Sequence, residues 1–437
     1  MAEEGTPSHT SQDGQNLKLA VLCTVPFIMV LGNSMLIPVL PKMMKVMHLS
    51  LFQVGLIITI FSIPAGIIIP LAGALSDRVG RKVIMVPALL IYGLGGLGAG
   101  ASSWFLPHPF SFIMGFRLLQ GIGAGGTYQL AMAVAGDMFQ GKSRAGALGI
   151  LEASNGFGKV VSPIAGSAIA LVIWFAPFFV YGILSFPIAA LVWFVIKDPK
   201  DLHGTGGLKQ YWTGLTKTLS AKAGSIIATF LGGAVVLFIL FGVLSYLADI
   251  LEKTFGYGEF TRGLLIAIPV LASAITSFVS GTLLQKRLAQ WSRPIVVGGL
   301  ALIALAMAME PFFATTTPWI ALTILGFQGI GTGAVLPALN TLVTSATSAQ
   351  ERGVVTSLYG SVRFFGVALG PPLFAAAMTH KYTVFWGAAG LALATGILSW
   401  FLINEKKMLP KKMRSGQSGP QENGPPLAGV RKRDKLS

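Results

Sequence analysis

The chain has 437 residues, of which 53% are hydrophobic and 11% are charged. Soluble domains carry roughly 25% charged residues, so a soluble protein of this composition could not cover its own surface with polar groups. The hydrophobic residues form long uncharged runs such as 54–75, and about 20 apolar residues are enough for a helix to cross the hydrocarbon core of a bilayer. The composition therefore excludes a soluble globular protein and indicates a polytopic membrane protein.

Reading these runs in chain order predicts twelve transmembrane helices. Unpaired backbone groups are costly in hydrocarbon, which excludes irregular lipid-exposed segments. Short turns separate most of the runs. We number the predicted helices spans 1 to 12: 19–40, 53–75, 83–104, 110–136, 146–171, 174–196, 225–250, 261–284, 294–313, 318–343, 353–377 and 382–403.

The chain has a net charge of +16, from 32 Lys and Arg residues and 16 Asp and Glu residues. Most of them lie in one set of loops, in the central polar segment and near both ends of the chain, which predicts that these parts are cytoplasmic. The opposite side carries only these: Lys42, Lys45, Lys253, Arg262 and Lys381. The positive charges are therefore expected to set the topology of a multi-pass protein of the cell (inner) membrane, and no nucleic-acid partner is predicted.

Metal, cofactor and enzyme chemistry are not indicated by the sequence. Cys23 is the single cysteine, and the five histidines are scattered along the chain without an HExxH pattern. Neither a disulfide framework nor a cysteine metal site is possible with one cysteine. We expect no metal, no cofactor and no enzymatic activity.

The second half of the chain repeats the first in one gapless register. "QGIGAG" at 120–125 corresponds to "QGIGTG" at 328–333, and "FGKVVSP" at 157–163 corresponds to "FGVALGP" at 365–371. Two repeats of six helices are parallel in topology, an arrangement typical of transporters with a binding site between their halves. The predicted organisation is a cytoplasmic N-terminal tail (1–18), an N-terminal six-helix bundle (19–196), a cytoplasmic central linker (197–224), a C-terminal six-helix bundle (225–404) and a basic cytoplasmic tail (405–437).

Three segments resemble signatures of the major facilitator superfamily. "GALSDRVGRK" at 73–82 is similar to its loop between the second and third helices, and "RLLQGIG" at 117–123 is similar to its fourth-helix signature. Residues 149–166 resemble the fifth-helix signature of its proton-coupled exporters. The matches there are Gly149, Gly158, Pro163 and Gly166, with Ser162 in place of one glycine. The resemblance covers nearly the whole chain and implies an all-α polytopic fold of twelve helices in two six-helix repeats.

The resemblance assigns the first segment to a latch that holds the two halves together in the outward-facing state. The candidate gating residues are Gly73, Asp77, Arg78, Gly80 and Arg81. Glycine permits close helix approach and tight turns, and an Asp at a helix end can pair with cations nearby. Alternatively, the cations only mark the cytoplasmic side. The second copy has Gln285 where the first has Asp77, so only the first copy is expected to latch strongly.

Arg117 and Glu152 are the candidates for proton coupling. A buried cation is costly unless it is paired or faces water. The resemblance implies that Arg117 tunes a carboxylate; the alternative is a structural arginine bonded to backbone carbonyls. Glu152 is the only acid well inside a span, since the other span acids lie nearer helix ends: Asp137, Asp249, Glu252 and Glu310.

Polar side chains form a stripe along span 5. At about 100° per residue, Glu152, Asn155, Lys159 and Ser162 share one face of the helix, which cannot face lipid. An acid in such a setting is a candidate proton carrier, although a permanent structural pair of Glu152 with Lys159 stays open. Gly149 and Gly158 lie on other faces, where a partner helix can pack closely. Pro163 interrupts the helical hydrogen bonds.

We expect spans 1, 4, 7 and 10 to line a central cavity between the halves. Its predicted polar residues are Asn33, Gln120, Tyr128, Gln129, Asn155, Lys159, Asn340 and Arg363. Drug exporters of this type often carry an acid in the first helix, but here Asn33 and Ser34 stand in that stretch. Three cations inside spans against one central acid favour neutral, zwitterionic or anionic lipophiles over simple organic cations.

The resemblance implies a proton-coupled secondary transporter that exports lipophilic small molecules by H+ antiport, as multidrug efflux proteins do, through alternating access. Its partners would be the substrate, protons and the lipid bilayer, and a monomer would be functional. Two alternatives remain open: a lipid or glycolipid flippase of the same fold, and an uptake symporter for a small anion.

Overall fold

The computed structural model describes residues 9–139, 141–197, 222–346 and 349–408. Most of the predicted linker (198–221), the start of the N-terminal tail (1–8) and most of the basic tail (409–437) lie outside these ranges. The described backbone is helical with no strand. Its α-helices are His9–Ser34, Leu40–Val46, Leu51–Val79, Arg81–Phe105, Phe110–Gly125, Tyr128–Met138, Gly141–Ala170, Ala176–Val195, Ala223–Lys253, Glu259–Phe313, Pro318–Ser345, Ala349–Ala375, Lys381–Leu402 and Glu405–Met408.

These helices account for all twelve predicted spans. Ten segments of the described chain are long and apolar enough to cross a membrane. The other two spans are also helical: span 4 is divided between Phe110–Gly125 and Tyr128–Met138, and span 5 is the helix Gly141–Ala170, which carries the polar stripe. The predicted all-α fold with twelve transmembrane helices is confirmed.

Spans 1 and 4 are interrupted where an unbroken helix was predicted. In span 1 the first helix ends at Ser34, and a 3-10 turn at Ile37–Val39 leads into the short helix Leu40–Val46. Pro38 lies in this turn, and a proline lacks the N–H needed to continue the helical ladder. In span 4 the break falls at Gly126–Thr127, where the Thr127 hydroxyl donates to the Ala124 carbonyl at 2.7 Å.

The connection between spans 8 and 9 also differs from the prediction. A turn was expected between residues 284 and 294, but the helical backbone is continuous from Glu259 to Phe313. The two membrane-crossing segments within it are Glu259–Leu284 and Gln290–Phe313. The prediction that Gln285 makes a weak latch concerns a side chain outside the described residues, since the side chains of 285–289 are not described.

The internal repeat is visible in the helix packing. A Cβ placed on Gly121 of span 4 would lie 2.2 Å from the carbonyl oxygen of Phe61 in span 2, and a Cβ on Gly329 of span 10 would lie 2.2 Å from that of Pro269 in span 8. Glycine and carbonyl occupy corresponding positions of the two halves in both cases. The shared "QGIG" sequence therefore encodes the same backbone-to-backbone contact twice, as small residues do at transmembrane helix interfaces.

The two halves contact each other most extensively through two pairs of helices. Span 2 packs against span 11, where the Thr59 hydroxyl donates to the Ala368 carbonyl at 2.5 Å and the Ser361 hydroxyl donates to the Gly66 carbonyl. Span 5 packs against span 8, where a Cβ on Gly263 would lie 2.5 Å from the Pro163 carbonyl oxygen. A site between the halves would therefore lie between the span 2–span 11 contact and the span 5–span 8 contact.

We define the two ends of the helical bundle, the near face and the far face, by the chain segments that lie there. The near face carries both ends of the described chain and the turn at residue 80. The far face carries residues 36–50, between spans 1 and 2, and 249–262, between spans 7 and 8.

Gly329→Ala should lower the thermal stability of the purified protein. The added Cβ would overlap the Pro269 carbonyl oxygen, and overpacking of a tight interface typically costs about 1–3 kcal/mol. Gly326→Ala on the same helix is the matched control, because a Cβ there has no neighbour within 4 Å among the described atoms. Thermal unfolding in detergent compares the two variants, and equal midpoints would show that the close contact is not needed.

Candidate functional site

Arg117 is the centre of a buried hydrogen-bond network inside the N-terminal half. Its guanidinium is 0% exposed. Nε donates to the Ile57 carbonyl at 3.0 Å, and Nη1 donates to the Gly32 carbonyl and to Gln120 Oε1, both at 2.7 Å. Nη2 donates to Asn33 Oδ1. These bonds tie span 4 to spans 1 and 2, and they are the contacts that the structural interpretation of this arginine requires.

This network also takes two residues that were predicted to line the cavity. Gln120 is fully buried and Asn33 is 5% exposed. Asn33 uses its amide nitrogen on the Ser62 hydroxyl at 3.2 Å. The Phe61 ring lies against the guanidinium, with 4.4 Å between the ring centroid and Cζ of Arg117. Both residues therefore belong to the packing of the N-terminal half and not to the surroundings of Glu152.

Glu152 lies where the two halves meet. Its Oε1 accepts a hydrogen bond from the Tyr128 hydroxyl at 2.5 Å and another from Asn340 Nδ2 at 3.3 Å. Tyr128 belongs to span 4 of the N-terminal half, immediately after the break at Gly126–Thr127, whereas Asn340 belongs to span 10 of the C-terminal half. The carboxylate thus joins the halves through two neutral donors.

Two cations lie in the electrostatic neighbourhood of this carboxylate. Lys159 interacts electrostatically with both Arg363 and Glu152. The Arg363 guanidinium lies over the Tyr359 ring, 5.4 Å from its centroid. Among the described residues, Glu152 forms no ion pair within 4.0 Å, so the direct pair with Lys159 considered above is not formed.

The remaining predicted residues lie around the same cluster. Gln129 follows Tyr128 in span 4 and approaches span 11, since a Cβ on Gly360 would lie 2.7 Å from Gln129 Nε2. Asn155 is buried one turn after Glu152. The Glu152 cluster therefore consists of Tyr128, Gln129, Glu152, Asn155, Lys159, Asn340 and Arg363. Its hydrogen bonds come from spans 4 and 10, and spans 5 and 11 supply the charged groups.

The glycines of span 5 divide between packing and open space. A Cβ on Gly166 would lie 2.2 Å from the Met35 carbonyl oxygen, and one on Gly158 would lie 3.3 Å from the Phe27 ring, so both pack on span 1. Gly149 has no neighbour within 4 Å of such a Cβ among the described atoms. The expectation of close packing at Gly149 is therefore wrong for this conformation.

The ion pairs of the predicted latch loop lie inside the N-terminal half, and Gly73 of the same segment packs against the other half. Gly80 has φ 103°, a conformation that favours glycine, and it separates spans 2 and 3. Arg81 pairs with Asp77 at 3.5 Å and with Asp137 at the end of span 4 at 3.0 Å. The Asp77 side chain is 51% exposed, and Arg78 is exposed. Gly73 faces span 11, where a Cβ would lie 2.9 Å from the Ser357 hydroxyl.

The far face carries a cluster of ion pairs that sequence reasoning treated only as topology charges. Lys42 pairs with Glu259 at 2.7 Å. Lys45 and Arg262 both pair with Glu252, and Arg262 Nη2 also donates to the carbonyl of Pro38 at 3.1 Å. We call Lys42, Lys45, Glu252, Glu259 and Arg262 the far-face ion-pair cluster. Since Lys42 and Lys45 belong to one half and the other three to the second, the cluster joins the halves on that face.

A signal for this cluster was present in the sequence. Four of the five cations on the side predicted to carry few positive charges lie at the ends of spans 1, 7 and 8: Lys42, Lys45, Lys253 and Arg262. The acids Glu252 and Glu259 occur in the same region of the sequence, between spans 7 and 8. Charges that depart from the general asymmetry of a membrane protein need a partner or a function. The pairing between the halves could not be read from the chain, because Lys42 and Lys45 are more than 200 residues from their partners Glu259 and Glu252.

Comparison with known proteins decides the family. The family model described as "Major Facilitator Superfamily" matches residues 22–371 and 293–433. The chain belongs to the major facilitator superfamily. Its described helices and the residues of its three signature segments agree with that membership, and the resemblance inferred from the motifs is confirmed.

Members of the superfamily similar to this chain include exporters of Bacillus subtilis (strain 168). The "Bacillibactin exporter" is 37% identical over 90% of this chain and 98% of its own length, and "Multidrug efflux protein YfmO" is 30% identical over 87% and 90%. A solved structure of a bacterial homolog to the human lysosomal transporter Spinster, inward-facing and unoccupied, has a TM-score of 0.68 at 18% identity and covers 90% of this chain and 98% of its own. The chain is thus a multi-pass membrane transporter with the superfamily fold.

Arg117→Met should destabilise the protein more than it changes the chemistry of transport. The substitution leaves four buried acceptors without their donor, and an unpaired buried polar group costs about 1–3 kcal/mol. We expect a low yield of folded protein and a lower unfolding temperature. Arg363→Met is the control, because the contact of Arg363 with Tyr359 is the only one named above that would be lost. A stable Arg117→Met protein that has lost only proton-driven transport would contradict the structural role.

Proposed function

We propose that this protein is a proton-coupled exporter of lipophilic small molecules and that Glu152 carries the coupling proton. The observation that supports this most directly is the position of Glu152: a carboxylate between the two halves, held by neutral donors from both and without an ion pair among the described residues. Acidic residues inside the membrane part of a transporter commonly mark proton or ion pathways. The similarity to exporters agrees with the direction of transport.

The chemistry of the cluster links the charge of Glu152 to the contact between halves. An ionised carboxylate accepts hydrogen bonds more strongly than a neutral carboxyl group, which becomes a donor itself. Protonation therefore weakens the bond from Asn340 and alters the bond from Tyr128. Since Asn340 belongs to the other half, the proton changes the free energy of bringing spans 5 and 10 together. That is the property a coupling group needs in alternating access.

The substrate class follows from the balance of charge. Lys159 and Arg363 lie near one acid, so the cluster has an excess positive charge when Glu152 is protonated. An anionic or neutral lipophile fits this site better than an organic cation, which would meet two like charges. The similarity to a bacillibactin exporter makes bacillibactin the first probe to use.

The orientation and the conformational state complete the proposal. We infer that the near face is cytoplasmic, because most Lys and Arg residues lie there, and that the far face is outside the cell. The far-face ion-pair cluster then closes the outer entrance in this structure. The exposed carboxylate of Asp77 agrees with a latch that is released in this state and engaged in the outward-facing one.

Efflux in cells with and without the protein tests the function. We expect accumulation of bacillibactin to fall in cells that express it, and a protonophore should abolish the difference. The cationic dye ethidium is the contrasting probe and should be exported less well. Movement of fluorescent phospholipid between leaflets, with no export of either probe, would favour the flippase alternative.

Glu152→Gln should stop proton-driven export while the protein remains folded. Glutamine has nearly the same volume and still accepts hydrogen bonds from Tyr128 and Asn340, but it cannot carry a proton. Exchange of substrate down its own gradient is expected to survive. Export against a gradient in proteoliposomes with an imposed pH difference provides the measurement, and persistence of that export would refute the carrier role.

A double variant separates the carrier role from simple charge compensation. If Glu152 served only to neutralise Lys159, the single Gln variant would strand a buried cation at a cost of roughly 3–5 kcal/mol, and adding Lys159→Met would restore yield and export. Because the structure shows no direct Glu152–Lys159 ion pair, we expect no restoration of proton-driven export. Recovery in the double variant would end the carrier proposal.

Exchanging the charges of Lys42 and Glu259 tests the outer closure. Lys42→Glu alone places two acids together, and we expect the outer entrance to open more often. A cysteine at Ser34, which is 6% exposed, should then react faster with a membrane-impermeant maleimide in a Cys23→Ser background. Adding Glu259→Lys should return the rate towards that of the parent. An unchanged rate in Lys42→Glu would show that this pair does not hold the entrance shut.

A further inference from the structure

Glu310 of span 9 is a buried acid outside the Glu152 cluster. It is 0% exposed, and neither oxygen of its carboxyl group has a hydrogen-bond partner among the described residues. Its neighbours one turn away on the same helix, Ala306, Met307 and Ala314, are buried and apolar. The sequence places Glu310 near a helix end, but in the folded bundle its side chain is fully buried.

Among the residues that the structure describes, no cation faces Glu310 from the helices packed around it. On span 7 the group with which it interacts electrostatically is Tyr246, whose ring packs on Phe385 of span 12 at 4.9 Å between centroids. Span 10 has no titratable residue from 318 to 345, and span 12 has only Lys381 and Tyr382, at its far-face end. An ionised carboxylate in this pocket would lack any compensating charge, which is costly at this depth.

Pro311, the residue after Glu310, leaves a backbone carbonyl available as a hydrogen-bond acceptor for a protonated carboxyl group. Pro311 has no N–H, so the carbonyl of Met307 loses the donor that the helix would otherwise provide. A free carbonyl one turn back on the same helix can accept a hydrogen bond from a carboxyl group but not from a carboxylate. The Glu310–Pro311 sequence therefore suits the neutral acid.

The surroundings of Glu310 connect it to the far face. It precedes the end of the helix at Phe313 by three residues. Tyr246 lies on the same helix as Glu252 of the far-face ion-pair cluster and precedes it by fewer than two turns. A movement of span 7 that separates the cluster also displaces Tyr246, the titratable group of span 7 that interacts electrostatically with Glu310.

We propose that Glu310 is a second proton-binding site, in the C-terminal half, which holds a proton while the far face is closed and exchanges it with far-face water when span 7 moves. The proton passes between water and one carboxyl oxygen, and no other group is consumed. The inference about exchange rests on the alternating access proposed above, whereas the protonated state in the closed structure does not.

Infrared spectroscopy of the purified protein tests the protonated state without any substrate. We expect the C=O band of protonated carboxyl groups at neutral pH to lose intensity in Glu310→Gln compared with the parent. Glu152→Gln is the control for the acid that lies between the halves. An unchanged band in folded Glu310→Gln would show that Glu310 is ionised and would overturn the proposal.

Chemical labelling covers the case in which Glu310→Gln fails to fold. Dicyclohexylcarbodiimide modifies protonated carboxyl groups in apolar surroundings, and mass spectrometry of the parent protein identifies the modified residue. We expect modification of Glu310 at neutral pH. Its absence under conditions that label other buried carboxyl groups would also overturn the protonated state.

Deuterium exchange tests the connection to the far face. In D2O the band assigned to Glu310 shifts as the carboxyl proton is replaced, and we expect this shift to be several-fold faster in Lys42→Glu than in the parent. Lys42→Glu combined with Glu259→Lys should restore the slow rate. Equal rates in all three proteins would overturn exchange through the far face. Because none of the three measurements involves transport, failure of the Glu152 carrier role leaves their results unaffected.

Discussion

Hydrocarbon offers no hydrogen-bond partner, and this constraint governs every polar side chain inside the bundle. A buried polar group must be satisfied by the protein, face water, or remain neutral. Three residues show how this constraint acts. Arg117 is satisfied by carbonyl and amide oxygens of spans 1, 2 and 4. Glu152 lies between the halves with neutral donors. Glu310 has no partner among the described residues.

Polar contacts within one half and polar contacts between the halves have different effects on the molecule. The Arg117 network joins helices of one half, so it strengthens that half as a unit. The bonds of Glu152 and of the far-face ion-pair cluster cross between halves and have to break when the halves move. Polar groups inside a half stabilise it, and polar groups between halves set which conformation is favoured. The alternating access proposed above needs both kinds, because rigid halves would transmit a local change in charge into a movement of whole helices.

Much of the fold could be predicted from the sequence, because hydrophobic length and internal repetition survive in the chain without knowledge of contacts. The twelve spans and the two related halves are examples. The breaks in spans 1 and 4 were missed, since Gly126 and Thr127 occur in an apolar run where a helix is the default. For the site, the polar stripe of span 5 predicted where Glu152 would face. The grouping of Asn33 and Gln120 with Arg117 was not predictable, because it depends on which helices approach each other.

The exposure of the far-face ion-pair cluster has a consequence for the environment in which the protein works. The side chains of Lys42 and Lys45 are 43% and 61% exposed, while the paired acids Glu259 and Glu252 are 15% and 12% exposed. Dissolved ions reach the lysines and screen their attraction to the acids, whose range falls to about 8 Å at physiological ionic strength. At 1 M salt the range is about 3 Å, comparable with the length of the Lys42–Glu259 pair. In the outer closure proposed above, the balance between closed and open entrances therefore shifts with the salinity of the surrounding medium, and the entrance opens more readily in brine than in fresh water.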